Sequence, residues 1–379
     1  MPVYTLGCAS VYDVEVRYQG GGHLWTKVQG LTGLKWGRKL DDFSEASITV
    51  TKSRAGADCC GKLGDTHVWG HELRIVRDRK TVWAGPITRI RENRTKLTFE
   101  ARDMLFWLWR RALYQGPGGG TNFHYWQPAD TGAIIRDMIT KAFPKSAPDW
   151  DPGLIDYAVL EDSGTLSTTD LLWQYTQPVG EVVKDLISAG VDLYTVGRHI
   201  YSVSDTKAGD AAPHRLREAD FLTELEVVEN GLDANTHVFV VGGQPVDGAG
   251  NPIQNVSPVV GGAGDVDPFY GLVTTFSESN NVVRQDVADG IAQARLAYGN
   301  PPPVDIIVPS GAQLSPQAPV DIGQLVPGAV FQVDLDSYCR RVSQPFRLNE
   351  LTVTWNDDDV EKVAVSLASN GPATQGAAA

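Results

Sequence analysis

Tyr12, Val14, Val16 and Tyr18 alternate with Asp13, Glu15 and Arg17, the two-residue period of a strand with one face buried. Short runs of the same kind recur through the first third of the chain. Ser47–Thr51 is one. Leu73–Val76 and Thr81–Trp83 are two more and flank Arg77-Asp78-Arg79-Lys80, which predicts a hairpin with a polar four-residue loop. Ile87–Ile90 then leads through Glu92-Asn93-Arg94-Thr95 into Leu97–Ala101. Consecutive short strands separated by turn residues predict a small barrel or sandwich. Asp103 stands as an N-cap before the apolar run Met104–Leu113, a short helix.

Beyond this point the period changes. Gly116–Gly120 (Gly-Pro-Gly-Gly-Gly) reads as a linker, because no Gly-Lys-Ser/Thr follows to make a phosphate loop. Ile134, Ile135, Met138, Ile139, Ala142 and Phe143 fall at helical spacing after Asp130-Thr131. A second helix is expected from Pro178 to Ala189, stopped by Gly190. Val191–Val196 and His199–Val203 then form a hairpin around Gly197-Arg198. From Phe221 the pattern returns to strands: Leu225–Val228, His237–Val241, Val304–Val308, Ala329–Leu335, Leu348–Trp355 and Val360–Leu367. One helix interrupts them, marked by Val283, Val287, Ile291, Ala294 and Tyr298.

The expected class is β-rich α+β. A first β-barrel or sandwich domain with a short closing helix covers 1–115, and a mixed α/β insert covers 116–220. A second β-barrel domain covers 221–367, with a helix over 281–299 and a mobile loop over 242–268, and 368–379 form a disordered tail.

Composition narrows the possible functions. No run of about 18 apolar residues is present to span a membrane as a helix, and Met1-Pro2-Val3-Tyr4-Thr5 does not open a signal peptide, so folding in the cytoplasm is expected. The net charge of −13 argues against sequence-specific or general nucleic-acid binding. The charge is uneven, however: between His71 and Arg111, eleven Lys/Arg face five acids. A solvated basic strand face is the simpler reading, and docking to another copy or another protein is the alternative that such opposed charge suits.

Cys59 and Cys60 with His67 and His71 offer zinc-type ligands. Adjacent cysteines lack the usual spacing of two to four residues, so loop cysteines beside strand histidines is the simpler reading. No G-x-S-x-G, H-E-x-x-H or G-x-G-x-x-G motif occurs. Asp357-Asp358-Asp359 reads as a hairpin turn, and Asp265 with Asp267 lacks the spacing of a calcium loop. The expectation is a protein without cofactor, metal or catalytic residues.

Seven of the ten tryptophans, Trp25, Trp36, Trp69, Trp83, Trp107, Trp109 and Trp126, lie in the first third. Core plus interface is the preferred reading, with a sugar-stacking platform as the alternative. The candidate interface is Trp83, Arg89, Arg91, Trp107, Trp109, Arg110 and Arg111.

The stretch Thr81-Val82-Trp83-Ala84-Gly85-Pro86-Ile87 through Leu97-Thr98-Phe99-Glu100-Ala101-Arg102-Asp103 resembles the hub and tail-associated proteins of long-tailed phages. The likeness continues in the Pro178–Val203 helix and hairpin, in Asp286–Tyr298, in Gln324–Val333 with its Pro327-Gly328 turn, and in the closing strands. Ala329 stands where that family often has Asp. The combination is most similar to minor tail proteins of siphovirus-type phages of actinobacteria. The resemblance implies a baseplate-hub-like fold and a structural role in the virion tail tip, assembled in the host cytoplasm. It also implies a homotrimeric ring that meets the distal tail protein ring, the C-terminus of the tape measure protein, and a central fibre or other minor tail proteins. A receptor- or carbohydrate-binding tail module is the alternative, and a cell-wall hydrolase the third possibility.

Overall fold

The computed structural model describes residues 5–7, 12–111, 123–143, 156–160, 171–174, 177–187, 191–204, 214–243, 259–279, 282, 284–300, 304–337, 340–357, 359–370 and 374–376. They form two compact units. The first takes in 1–224, 308–333 and 346–368, and the second 225–307, 334–345 and 369–379. The Gly116–Gly120 linker lies outside the described residues.

The first unit opens with β1 (Tyr12–Tyr18), β2 (Leu24–Lys27), β3 (Leu31–Lys39) and β4 (Glu45–Thr51). Two short helices, α1 (Lys52–Ala55) and α2 (Ala57–Gly64), precede β5 (His71–Arg77), β6 (Lys80–Glu92) and β7 (Lys96–Arg102). The expected alternation is present: Val14 and Val16 are buried on β1, Ala46, Ile48 and Val50 on β4, and Leu97, Phe99 and Ala101 on β7. The β5–β6 connection is tighter than the sequence implies. Arg77 pairs with Lys80, leaving a two-residue turn in which Asp78 and Arg79 both have positive φ (48° and 68°). Matching the right-handed twist of the strands requires that geometry, and here non-glycine residues supply it.

Arg77 is therefore a strand residue, and its side chain is buried. Nε and Nη2 donate to Glu361 Oε1 and Oε2 at 2.8 and 2.7 Å, and Nη2 also donates to the Leu6 carbonyl at 3.0 Å. The Tyr12 hydroxyl donates to the same Glu361 carboxylate. Burial alone would lower the guanidinium's affinity for its proton, but the hydrogen bond and charge of Glu361 outweigh it and raise that affinity. Burial and the neighbouring carboxylate likewise raise Tyr12 above the ordinary phenol range.

After β7 the chain turns into the expected short helix, Met104–Arg110, wound tightly with three residues per turn. That period places Met104 with Trp107 and Leu105 with Leu108 on the buried side. The chain continues through β8 (Phe123–Trp126), α3 (Thr131–Ala142), β9 (Asp156–Leu160), β10 (Leu171–Gln174), α4 (Val179–Ile187), β11 (Val191–Val196), β12 (His199–Ser204) and β13 (His214–Arg217). Asp130 caps α3 as expected, its carboxylate accepting from Ala133 N at 3.0 Å. The apolar faces of α3 and α4 share one core with the 104–110 helix, including Ile134, Met138, Val183 and Leu193. The β11–β12 hairpin turns at Gly197, with φ of 60°.

The second unit contains β14 (Glu226–Glu229), β15 (His237–Gly242), β16 (Val260–Gly264), β17 (Thr274–Ser279), α5 (Gln285–Gly299) and β18 (Val304–Ile307). Of the stretch read as a loop, 244–258 lies outside the described residues, and Val260–Gly264 is a strand. It pairs with β15, which pairs with β17 on its other side. The apolar stripe expected to seat α5 also differs. Ala288 and Ala292 are its buried residues on Val238 and Val240, whereas Val287 and Tyr298 are 41% and 59% exposed. Small residues face the sheet because the backbones nearly touch: a Cβ on Gly261 would lie 2.7 Å from Asp289 N. Ala294 and Tyr298 line an external groove of about 480 Å³ with Leu232, and Ile291 reaches both this groove and the core.

The closing elements are β19 (Ala312–Leu314), β20 (Val330–Ser337), β21 (Arg340–Asn356), β22 (Asp359–Ser369) and β23 (Thr374–Gly376). β23 lies within the stretch expected to be a disordered tail and pairs with Arg341–Ser343. In the second unit, Gln344 is fully buried. Its carbonyl accepts from Ile306 N at 2.6 Å, and its amide donates to Asp305 and Ser369 at 2.9 Å each. In the first unit, Glu350–Asn356 of β21 pair antiparallel with Gly33–Lys39 of β3. That pairing joins strands the sequence assigns to different barrels. The sheet order from there is β21-β3-β4-β7-β6-β5-β1-β2.

Candidate functional site

The outward positions of three neighbouring strands carry the basic segment. On β7, Lys96, Thr98, Glu100 and Arg102 point away from the core, and Glu100 pairs across to Ser47 on β4 and Arg89 on β6. A register shift between Ile87 and Arg89 puts Arg89 and Arg91 on this same outer face. The result is a groove of about 670 Å³ in the first unit, lined by five cations, Lys35, Arg89, Arg91, Arg102 and Arg110, against Glu45 and Glu100.

Its ion pairs are exposed. Arg91 reaches Glu100 at 2.8 Å, Arg89 reaches the same carboxylate at 3.4 Å, and Arg102 reaches Glu45 at 2.7 Å. Such pairs each contribute about 0–1 kcal/mol to stability, so they hold side chains loosely and leave them able to exchange partners. At one end Phe106 lies between two guanidiniums, with Arg102 4.9 Å and Arg110 5.7 Å from its ring centre. Arg102 also sits over Phe43 at 4.6 Å, and Arg110 over Trp69 at 5.2 Å. The groove thus combines excess positive charge with an aromatic wall.

The candidate residues named from sequence separate into two sets. Arg89, Arg91 and Arg110 meet in the groove. Trp83 and Trp107 are core side chains, 2% and 7% exposed. Trp109 is partly buried and lies flat over Gly180 of α4, with its Cε2 2.7 Å from where a Cβ would stand. Arg111 stacks over Phe143 at 5.2 Å. None of the seven tryptophans of the first third is exposed. Lys35, Arg102 and Phe106 are groove residues that sequence reasoning missed; the period-two pattern of β7 marks Arg102 as outward, but nothing local marks Lys35 or Phe106.

Beneath the groove a polar knot ties the Trp83 and Asp103 strands together. Asp103 is fully buried. One carboxylate oxygen accepts from Ser44 N, Ser44 Oγ and Thr195 Oγ1 at 2.7, 2.6 and 3.0 Å, and the other caps Leu105 N at 3.0 Å. Ser44 Oγ in turn accepts from Trp83 Nε1 at 3.1 Å. Burial pushes the carboxyl up to about 6, against the pull of these hydrogen bonds.

An acid raised in the folded state binds a proton there that the unfolded chain releases. Its contribution to stability is therefore greatest below about pH 4 and is lost as pH rises through about 6. The expected loss across that window is on the order of 2–3 kcal/mol. Asp103→Asn mimics the neutral acid. The stability advantage of the parent over this variant, from urea unfolding at pH 4 to 7, should shrink with rising pH. A difference constant across that range would refute the assignment.

The zinc-type residues do not converge. Cys59 and Cys60 lie on α2 rather than in a loop, and Cys59 Sγ meets the Lys27 carbonyl at 3.5 Å. His71 accepts from His67 N at 3.1 Å through Nδ1 and packs against Tyr18 and Trp25. Among the described residues no group of three or more His, Cys, Asp or Glu is placed to hold a metal, and no helix is long and apolar enough to cross a membrane.

No family model and no curated protein matches the chain. Solved structures do. The 43 kDa tail protein of prophage MuSo2 from Shewanella oneidensis is similar over 94% of this chain and 98% of its own, at 11% identity and a TM-score of 0.52. A tail protein from Neisseria meningitidis MC58 aligns over 95% and 97% at 13% identity, with a TM-score of 0.49. A prophage tail protein of Listeria monocytogenes EGD-e aligns over 95% and 94% at 10% identity and 0.46. At that identity the likeness to the MuSo2 tail protein is one of fold, and the described residues of this chain are β-rich.

Proposed function

We propose that this chain is a structural hub of a phage tail tip. Three copies would form a ring that closes the tail tube. The ring would join the distal tail protein ring to the end of the tape measure protein and to the central fibre. The observation that carries the reading is the end-to-end likeness to the prophage MuSo2 tail protein, which leaves almost nothing of either chain unmatched. The basic groove supports it, because an unevenly charged surface serves assembly with other proteins. The role is assembly rather than catalysis, in a virion put together in the host cytoplasm. A sugar platform draws no support from the seven tryptophans of the first third, none of which is exposed. The siphovirus type and an actinobacterial host remain part of the proposal.

The test is to label this chain in intact virions and image the tails. Label at the tip is expected, and label along the tube or absent from the tail would reject the hub. Purified protein should also leave cell-wall material intact; hydrolysis abolished by a single carboxylate change would replace the assembly role with an enzymatic one.

A further inference from the structure

We propose that the turn Asp265–Leu272 of one copy inserts into the basic groove of a second copy, so that copies join head to tail. This rests on the ring reading above and specifies which surfaces close it. The turn is built to hold its shape. Asp267 Oδ1 accepts from Phe269 N and Tyr270 N at 2.7 and 2.8 Å. The backbones of Asp267 and Gly271 exchange both hydrogen bonds, at 3.0 and 2.8 Å, with Gly271 at φ of 74°. That rigid frame presents apolar side chains to solvent: Phe269 is 85% exposed, Val266 62% and Leu272 61%. The Phe269 and Tyr270 rings meet edge to face at 4.8 Å. An ordered cluster of exposed aromatic and aliphatic groups marks a binding surface rather than a solvated turn.

Charge selects the occupant. The second unit, which carries the turn, holds twelve Asp/Glu and four Arg, and Asp265 stands beside the tip. The groove has the opposite balance, and its Phe106 wall already packs guanidiniums on an aromatic face. Arg102 and Arg110 can accept a further ring in the same way, with the turn's carboxylates meeting Arg89 and Arg91. Two basic grooves would repel each other, so copies cannot pair symmetrically through this surface. A groove-to-turn contact is heterologous, and repetition of such a contact closes a ring when the rotation permits.

The test places a photo-crosslinking amino acid at position 269 of the full chain and mixes isotopically labelled with unlabelled protein. Crosslinks between copies should fall within residues 88–111. Phe269→Ser/Tyr270→Ser and Arg89→Glu/Arg110→Glu should each weaken association by about tenfold or more in sedimentation equilibrium. Retained thermal unfolding would show that these surface variants stay folded. Association with crosslinks to any other surface, or variants that associate like the parent, would overturn the docking and leave the ring standing. A chain that stays monomeric with no crosslink also overturns the docking. The virion label decides the ring reading separately.

Discussion

Replacing Glu361 by Gln should destabilise the first unit by about 3 kcal/mol, because it leaves the buried Arg77 guanidinium with only the half-exposed Asp78 carboxylate, 3.4 Å away, as counter-charge. The Arg77 side chain is 5% exposed and that of Glu361 0%, and two parallel N–H donors meet the carboxylate at 2.8 and 2.7 Å. A glutamine side chain can accept only one of these bonds well, and its NH2 group would face a guanidinium donor. Removing both partners should cost far less: Arg77→Met with Glu361→Leu replaces the pair by apolar volume, and such exchanges are often neutral. Tyr12→Phe deletes only the hydroxyl donor and should cost about 1 kcal/mol. The measurement is urea unfolding of the three variants. A single Glu361→Gln no worse than the double replacement would show that the pair is not buried as described.

The second large effect is expected at Gly85. A methyl group there would overlap the Arg102 carbonyl oxygen and lie 2.7 Å from Arg102 C and 2.8 Å from Asp103 Cα. The atoms it meets are backbone, which cannot swing aside. Gly85→Ala should therefore cost about 3 kcal/mol, the upper end for overpacking, and displace the Asp103 knot. Gly61 supplies the contrast. It sits on α2 with nothing within 4 Å of a Cβ. There the same substitution should stabilise the chain by about 0.8–1 kcal/mol through helix propensity. Equal effects at the two positions would contradict the close approach of β6 to the end of β7.

Gly85 also shows what is legible in the sequence. The segment from Trp83 to Ile87 and the Ala101-Arg102-Asp103 step stand out as motifs, and the structure supplies their reason: Trp83 and Asp103 share Ser44, and Gly85 lets the two backbones meet. Period-two runs such as Tyr12–Tyr18 and Leu97–Ala101 can be read as strands because alternation is a local property. Arg77 cannot be read correctly, since its partner lies at Glu361 and the local pattern Arg-Asp-Arg-Lys is that of a solvated loop. Periodicity alone misplaces the buried face of α5 for a related reason. Residue size at Ala288 and Ala292 matters only once Gly261 is known to press against that helix. Of the candidate interface, arginines on outward strand positions come together, whereas Trp83 and Trp107 are drawn into the core, where most large aromatic area is buried.

The pairing of β3 with β21 has a consequence for the order of events in synthesis. Lys39 pairs with Glu350 and Gly33 with Asn356, so β3 waits for a partner made far later in the chain. Contacts so distant along the chain close slowly, because the intervening loop must be ordered first. Until then β3 presents an unpaired edge to other chains, a route to misassembly while many copies are being made together. Synthesis of β21 thus acts as a timer: the sheet takes its final form only after residues 350–356 have been made and have paired with β3.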